Sequence, residues 1–235
     1  MPRPILVIEQ TDLDPPGHVG TWLREAGYEL DIVRPYAGEP LPVDLSDHTG
    51  LVVLGGDVGA YDDEVAPWLP ATRALLARAV TKEVPTLAIC LGHQLLAVAT
   101  GGRVSPSPNG QQGGTPSVGL LPAAASDPLL GPVGPNAVAV HWNNDIVVDL
   151  PPGAVELART PSGVQAMRLG ERAWGLQFHP EVDAEIVRPW AAADVDSGHL
   201  VAERAAAWLA EMEANDAILQ RAWQPVIHRF ATLLG

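Results

Sequence analysis

Residues 84–94 read Val-Pro-Thr-Leu-Ala-Ile-Cys-Leu-Gly-His-Gln. Thr86 to Ile89 is a short apolar run with the length and composition of a buried strand. Gly92 to Thr100 carries a helical pattern and is closed by Gly101-Gly102. Cys90 therefore stands where a strand turns into a helix. Ala88 lies two residues before it and Gly92 two residues after, and a sharp strand-to-helix turn needs small neighbours at those places. Such an elbow lifts its central side chain above the sheet, at the N-terminus of the helix. A lone cysteine is usually an inert buried thiol. Here the helix-end amides and dipole favour a thiolate, and the Leu91 amide points toward any carbonyl that the sulfur attacks.

Working outward, the same alternation repeats. Ile5 to Ile8, Leu30 to Val33 and Leu51 to Leu54 are apolar runs of strand length. Between them lie helical patterns at His18 to Ala26, ending at Gly27, and at Trp68 to Lys82, with Leu69, Leu75, Leu76 and Val80 on one face. Strands alternating with helices predict an α/β fold with a mostly parallel twisted sheet flanked by helices. Gly55-Gly56 follows the third strand, where glycine lets the backbone approach a ligand closely. An amide from Gly56 can join that of Leu91 in an oxyanion hole.

The middle of the chain changes character. Ser105 to Pro135 is rich in Gly, Pro, Ser and Ala and predicts loops and short edge strands. A small β-rich region follows, with runs at Val138 to Val140, Ile146 to Val148, Val155 to Ala158, Val164 to Met167 and Trp174 to Phe178. From about Asp183 the chain reads as helical, with segments at Val201 to Met212 and Ala217 to Leu234. The stripe Trp208, Leu209, Met212 reads as core. The division expected is one domain over residues 1–182 and C-terminal helices over 183–235, packed on that domain or forming a homodimer surface.

A base is offered by Trp174-Gly-Leu-Gln-Phe-His-Pro-Glu-Val182. Pro180 biases His179 toward an extended conformation, and residues two apart in an extended segment face the same way. Glu181 can then orient the His179 imidazole, completing a nucleophile–base–orienter set with Cys90. His18, His48, His199 and His228 read as surface or helix-end residues, and His93 as structural. His141 precedes Trp142-Asn143-Asn144-Asp145, which is either a turn or a cluster for the charged end of a substrate. No histidine pair has metal-ligand spacing and no phosphate-cradling loop is present, so neither a metal nor a cofactor is expected.

Composition bounds the partners. The formal net charge of the 235-residue chain is −14, from 14 Lys+Arg against 28 Asp+Glu. Such a surface repels phosphates and anionic lipid, which argues against nucleic acid and membrane. No apolar run approaches the roughly 18 residues of a membrane span. The run after Met1-Pro2-Arg3-Pro4 is too short for a signal-peptide core. A single cysteine excludes an internal disulfide and fits a reducing cytoplasm.

The residues together resemble a family. Ala88-Ile89-Cys90-Leu91-Gly92-His93-Gln94 is similar to the Gly-x-Cys-x-Gly-x-Gln elbow of class I, triad-type glutamine amidotransferases, with alanine in place of the first glycine. His179-Pro180-Glu181 matches the family's base motif, and the resemblance covers about residues 5–182. It implies a flavodoxin-like amidotransferase fold. It also implies that Cys90 attacks the glutamine amide, that Gly56 and Leu91 hold the oxyanion, and that His179 and Glu181 move the proton. Gln94 and the loop Asn143, Asn144, Asp145 would contact the amino-acid end of the substrate, although Trp142-Asn143-Asn144 departs from the usual pattern. No nucleotide-binding domain is expected after the C-terminal helices. The layout resembles stand-alone members related to the amidotransferase domain of GMP synthase, which release ammonia alone or to a separate synthase. The other activities to weigh are those of a γ-glutamyl peptidase and of a non-catalytic regulatory subunit.

Overall fold

Three apolar runs of the first half, at residues 5–8, 50–53 and 86–89, become strands buried on both faces and so lack the polar–apolar alternation of a half-exposed strand. Residues 30–33 instead form an edge strand with Asp31 exposed. The structure is a computed structural model describing residues 3–234. In chain order it begins β1 (Ile5–Ile8), α1 (Gly17–Glu25), β2 (Leu30–Val33), β3 (Gly50–Val53), α2 (Leu69–Thr81), β4 (Thr86–Ile89) and α3 (Leu91–Ala99). It continues β5 (Arg103–Pro106), β6 (Gln112–Gly114), β7 (His141–Asn143), β8 (Asp145–Asp149), β9 (Val155–Thr160), β10 (Gly163–Leu169) and β11 (Ala173–Leu176). Two helices close it, α4 (Ala184–Asp196) and α5 (Ala202–Thr232).

The main sheet has seven strands in the order β2-β1-β3-β4-β11-β10-β9. β2, β1, β3, β4 and β11 pair in parallel, and β10 is antiparallel to both of its neighbours. Side chains alternate between two cores. Ile5, Val7, Val52, Leu87 and Ile89 pack with Val19, Trp22 and Leu23 of α1 and with Trp223 to Leu234 on the C-terminal side. Leu6, Ile8, Leu51, Val53 and Ala88 pack on the other face with Leu69, Leu75 and Leu76 of α2 and Leu95 and Leu96 of α3. The order reverses between β1 and β3, and ligands of open α/β sheets bind beyond the carboxyl ends of strands at such a point.

Several sequence-based boundaries change. Val138 to Val140 is no strand; it touches the sheet only through isolated bridges, Ser117 with Val138 and Val140 with His179. The two C-terminal helices expected are one continuous α5, with Pro225 inside it. Asn215 and Asp216 look like a break because they are weak helix formers. A tertiary partner holds the first, with Asn215 Nδ2 donating to Thr115 at 2.7 Å, and a pair within the helix the second, with Asp216 accepting from Gln220 one turn on at 2.9 Å. In the predicted core stripe only Met212 is buried; Trp208 and Leu209 are partly exposed. His48 is buried, not at the surface, where it pairs with Asp31 at 2.8 Å. Among the described residues no helix is long and apolar enough to cross a membrane.

Candidate active site

The elbow forms as its small residues require. Cys90 has φ 50° and ψ −106°, one of two non-glycine residues with positive φ among the described residues. That conformation costs about 1–3 kcal/mol and persists only where the surroundings enforce it. Gly92 shows the enforcement, because a Cβ there would lie 2.3 Å from the Val53 carbonyl oxygen. α3 can start under β3 only if residue 92 has no side chain. The Leu91 amide opens α3, where first-turn amides have no intrahelical acceptor.

The base arrives from the other side. After β11 the chain leaves β4, and the His179 amide donates to the Val140 carbonyl at 2.8 Å. His179 Nδ1 and Glu181 Oε1 are 2.5 Å apart, and both residues are almost completely buried. The Glu181 main-chain carbonyl accepts from the His18 amide at 2.8 Å, so the start of α1 fixes the backbone that carries the carboxylate. Burial opposes charging of His179. The Glu181 carboxylate and then Cys90 outweigh it, and the imidazole is held well above its usual pKa. With Nδ1 engaged, Nε2 is the nitrogen left without a hydrogen-bond partner and free for Cys90. Trp190 of α4 lies over the imidazole, with ring centroids 5.1 Å apart.

A cavity of about 320 Å³ opens above Cys90. Its lining includes Gly56, Leu91, Gln94, Asn143, Asn144, Asp145 and His179, so every residue singled out in the sequence except buried Glu181 faces it. A Cβ at Gly56 would lie 2.9 Å from both Gln10 Cβ and Leu91 Cδ2, which explains the glycine. Gln94 has its amide nitrogen bound to the Asp145 carbonyl at 3.0 Å and to Gln177 Oε1 at 3.3 Å. Asn143 Nδ2 also donates to the Asp145 carbonyl, at 3.0 Å. These amides tie the β7–β8 junction to α3 and hold Asp145 in the cavity lining. Burial and then Asp62 raise the Asp145 carboxyl above its usual range. Asn143 belongs to β7 and is no turn residue. His141 points away from the cavity, buried beside Phe178, and burial lowers it to about 3.

Four residues of the site went unread in the sequence. Gln177 places its amide nitrogen 3.7 Å from Cys90 Sγ. It lies two residues before His179, and the same alternation that pairs His179 with Glu181 would have found it. Trp190 and Asp194 come from α4, beyond residue 182, so the first of the C-terminal helices forms part of the cavity wall. Asp14 comes from the loop after β1. Its carboxylate, His179 and Glu181 offer ligand atoms within 4.8 Å of one another, the one metal-like cluster among the described residues. The bond between His179 Nδ1 and Glu181 Oε1 already uses one ligand atom of each.

A strained cysteine elbow facing a buried His-Glu pair at the carboxyl end of a parallel sheet defines a class before it defines a substrate. Residues 20–188 match the family model described as glutamine amidotransferase class-I, and the chain belongs to that family. It is 35% identical over 151 residues to one subunit of the glutamine-hydrolyzing GMP synthase of Halobacterium salinarum, covering 60% of this chain and 75% of that one. It is 29% identical over 167 residues to gamma-glutamyl peptidase 5 of Arabidopsis thaliana, covering 69% and 66%. The crystal structure of a glutamine amidotransferase from Methylobacillus flagellatus superposes with a TM-score of 0.87 at 30% identity, covering 99% of this chain and 95% of that one.

Proposed function

We propose that this chain hydrolyses the side-chain amide of glutamine through a thioester on Cys90, releasing glutamate and ammonia. The observation that carries the reading is the placement of strained Cys90 beside the buried His179–Glu181 pair at the floor of a cavity. The Cys90 thiol gives its proton to His179 Nε2, and the sulfur attacks the amide carbon. The tetrahedral oxyanion lies against the amides of Gly56 and Leu91. As the C–N bond breaks, His179 returns the proton to nitrogen and ammonia leaves. His179 then takes a proton from water, whose oxygen displaces the sulfur to give glutamate and the free thiol. Glu181 holds the imidazole in orientation throughout. The Asp145 carboxylate, at the start of β8 where Gln94 braces the main chain, takes the α-ammonium of the substrate. Residues 1–182 carry the reacting groups, and α4 of the C-terminal segment 183–235 adds to the cavity wall. The ammonia goes to solvent or to a separate synthase.

A second reading, γ-glutamyl peptidase activity, uses the same groups on a larger leaving group. The similarity to the Arabidopsis peptidase and a cavity that continues past Cys90 to Ala193 and Asp194 favour it. One assay series separates the two: glutamine against γ-glutamyl peptides, with ammonia and glutamate both measured. Under either reading a glutamine-like chloroketone alkylates Cys90, and Cys90→Ser lowers turnover by about 10⁴-fold or more. Absence of labelling and of turnover on every γ-glutamyl substrate, with and without candidate synthases, would remove the catalytic reading.

A further inference from the structure

Asp14 is a buried carboxyl that the chemistry above leaves without a task. It is 2% exposed, and neither oxygen has a hydrogen-bond partner. An unpaired buried carboxyl destabilises a fold, and its retention calls for a use elsewhere. Its surroundings are built for it. A Cβ at Gly55 would lie 2.3 Å from Asp14 Oδ2, 3.2 Å from His179 Cε1 and 3.4 Å from Cys90 Cβ. The absence of a side chain at residue 55 is what lets Asp14 pack beside His179, with a ligand atom of each and of Glu181 within 4.8 Å of one another. Asp14 also lines the cavity.

The side of the cavity on which it stands gives the ligand. A general acid must come within hydrogen-bond reach of the atom it protonates, so the departing nitrogen lies on the His179 side of the attacked carbon. Of the two carboxyls beside His179, Asp14 lines the cavity and Glu181 does not, so Asp14 is the one that can face the leaving group. The amino-acid end of the substrate is assigned above to Asp145 and the segment braced by Gln94. We propose that Asp14 is the leaving-group subsite: an acceptor for the N–H of the departing amide, which sets a preference for nitrogen over oxygen leaving groups. This rests on the thioester chemistry assigned to Cys90. Burial, and then the Glu181 carboxylate, hold the Asp14 carboxyl well above the usual range, while His179 and the nearby Gly55 amide pull it part of the way down. Protonated or ionised, Asp14 keeps an oxygen that can accept. It takes no proton in the step; the proton that reaches nitrogen is the one on His179.

The test compares leaving groups on one acyl group. L-glutamine and γ-glutamyl methylamide carry an N–H at the departing atom, and L-glutamate γ-methyl ester does not. Asp14→Leu keeps the shape and removes the acceptor. It should lower kcat/KM on both amides by about 30- to 100-fold, the scale of one lost active-site hydrogen bond. On the ester it should change kcat/KM by less than about 3-fold. Asp14→Asn keeps a carbonyl oxygen and should recover most of the amide activity. Thermal stability of Asp14→Leu should equal or exceed that of the wild type, because a buried polar group without a partner has been removed. An equal fall on amides and ester would make Asp14 a support for His179 and overturn the proposal, as would no fall on either. A wild-type protein that hydrolyses neither ester nor amide fails at the Cys90 chemistry, and the inference falls with it.

Discussion

At the scale of single residues, the site is a set of groups whose charge states are set by burial and near neighbours. His93 shows the effect on stability. It follows the nucleophile in α3 but turns into the core, where its Nδ1 lies 2.4 Å from the space a Cβ at Gly175 would fill. Burial lowers its pKa to about 3. A histidine with a depressed native pKa stays neutral in the fold, while the unfolded chain protonates below about 6.5. Its contribution is whole above about pH 6.5 and is lost as pH falls toward 3, by about 1.4 kcal/mol per pH unit. His93→Gln should lose stability relative to wild type near neutrality, and that deficit should shrink by about 2 kcal/mol between pH 6.5 and 5. Urea titrations of both proteins across that range measure it. His141, Asp14 and the other shifted groups titrate alike in both and cancel in the difference; parallel profiles would sink the assignment. Cys90, His179 and Glu181 were legible in the sequence because each sits beside a residue that constrains the backbone, Gly92 or Pro180. Asp14 was not. Thr11-Asp12-Leu13-Asp14-Pro15-Pro16-Gly17 has the composition of any exposed turn, and only the return of His179 from β11 buries one of its two aspartates.

At the scale of elements, the strands and helices before residue 100 follow directly from apolar runs and the glycines that end them. Later elements do not, because their form depends on distant partners. β7 is a strand only through its pairing with β6, Gln112 with Asn143 and Gly114 with His141. α5 runs unbroken for 31 residues because Thr115 and the sheet hold its weak middle. Its second half brings Trp223 under the site. That indole is 1% exposed, donates to the Val138 carbonyl at 3.0 Å, and lies 4.6 Å in ring-centroid distance from Phe178, the neighbour of His179. Val138 and Phe178 belong to the two segments that meet at the Val140–His179 bridge, so Trp223 supports the base from beneath. Trp223→Ala should cost about 3–5 kcal/mol, as other large-to-small core changes do. It should also lower kcat at temperatures where the variant remains folded. Denaturant unfolding and steady-state rates read the two effects separately. Full activity in a destabilised Trp223→Ala would show that α5 stabilises the domain without positioning His179.

At the scale of the whole molecule, charge selects what the cavity admits. The chain carries a formal −14. Asp14, Asp57, Asp145 and Asp194 line the cavity, and no Lys or Arg does. Asp194 accepts from Gln111 at 2.6 Å and from Trp142 Nε1 at 2.8 Å, which fixes its carboxylate at the wall. Asp57 is exposed at the rim. A narrow opening lined by one sign of charge concentrates ligands of the other sign and repels its own. Every γ-glutamyl substrate brings the same α-ammonium and α-carboxylate, so discrimination falls on the leaving group. An aminoalkyl leaving group brings a positive charge into a cavity lined by Asp194 and by Asp57 at its rim, and a glycyl one brings a negative charge. γ-Glutamyl-ethylenediamine should therefore exceed γ-glutamylglycine in kcat/KM by at least about 10-fold in dilute buffer. The field that separates them reaches about 30 Å at 0.01 M salt and about 3 Å at 1 M. The ratio should accordingly narrow as salt is added, with the glycyl conjugate gaining and the aminoalkyl one losing. A ratio that favours the glycyl conjugate, or one indifferent to salt, would mean that shape and not charge governs entry. Glutamine itself has a neutral leaving group and should show the weakest salt dependence of the three.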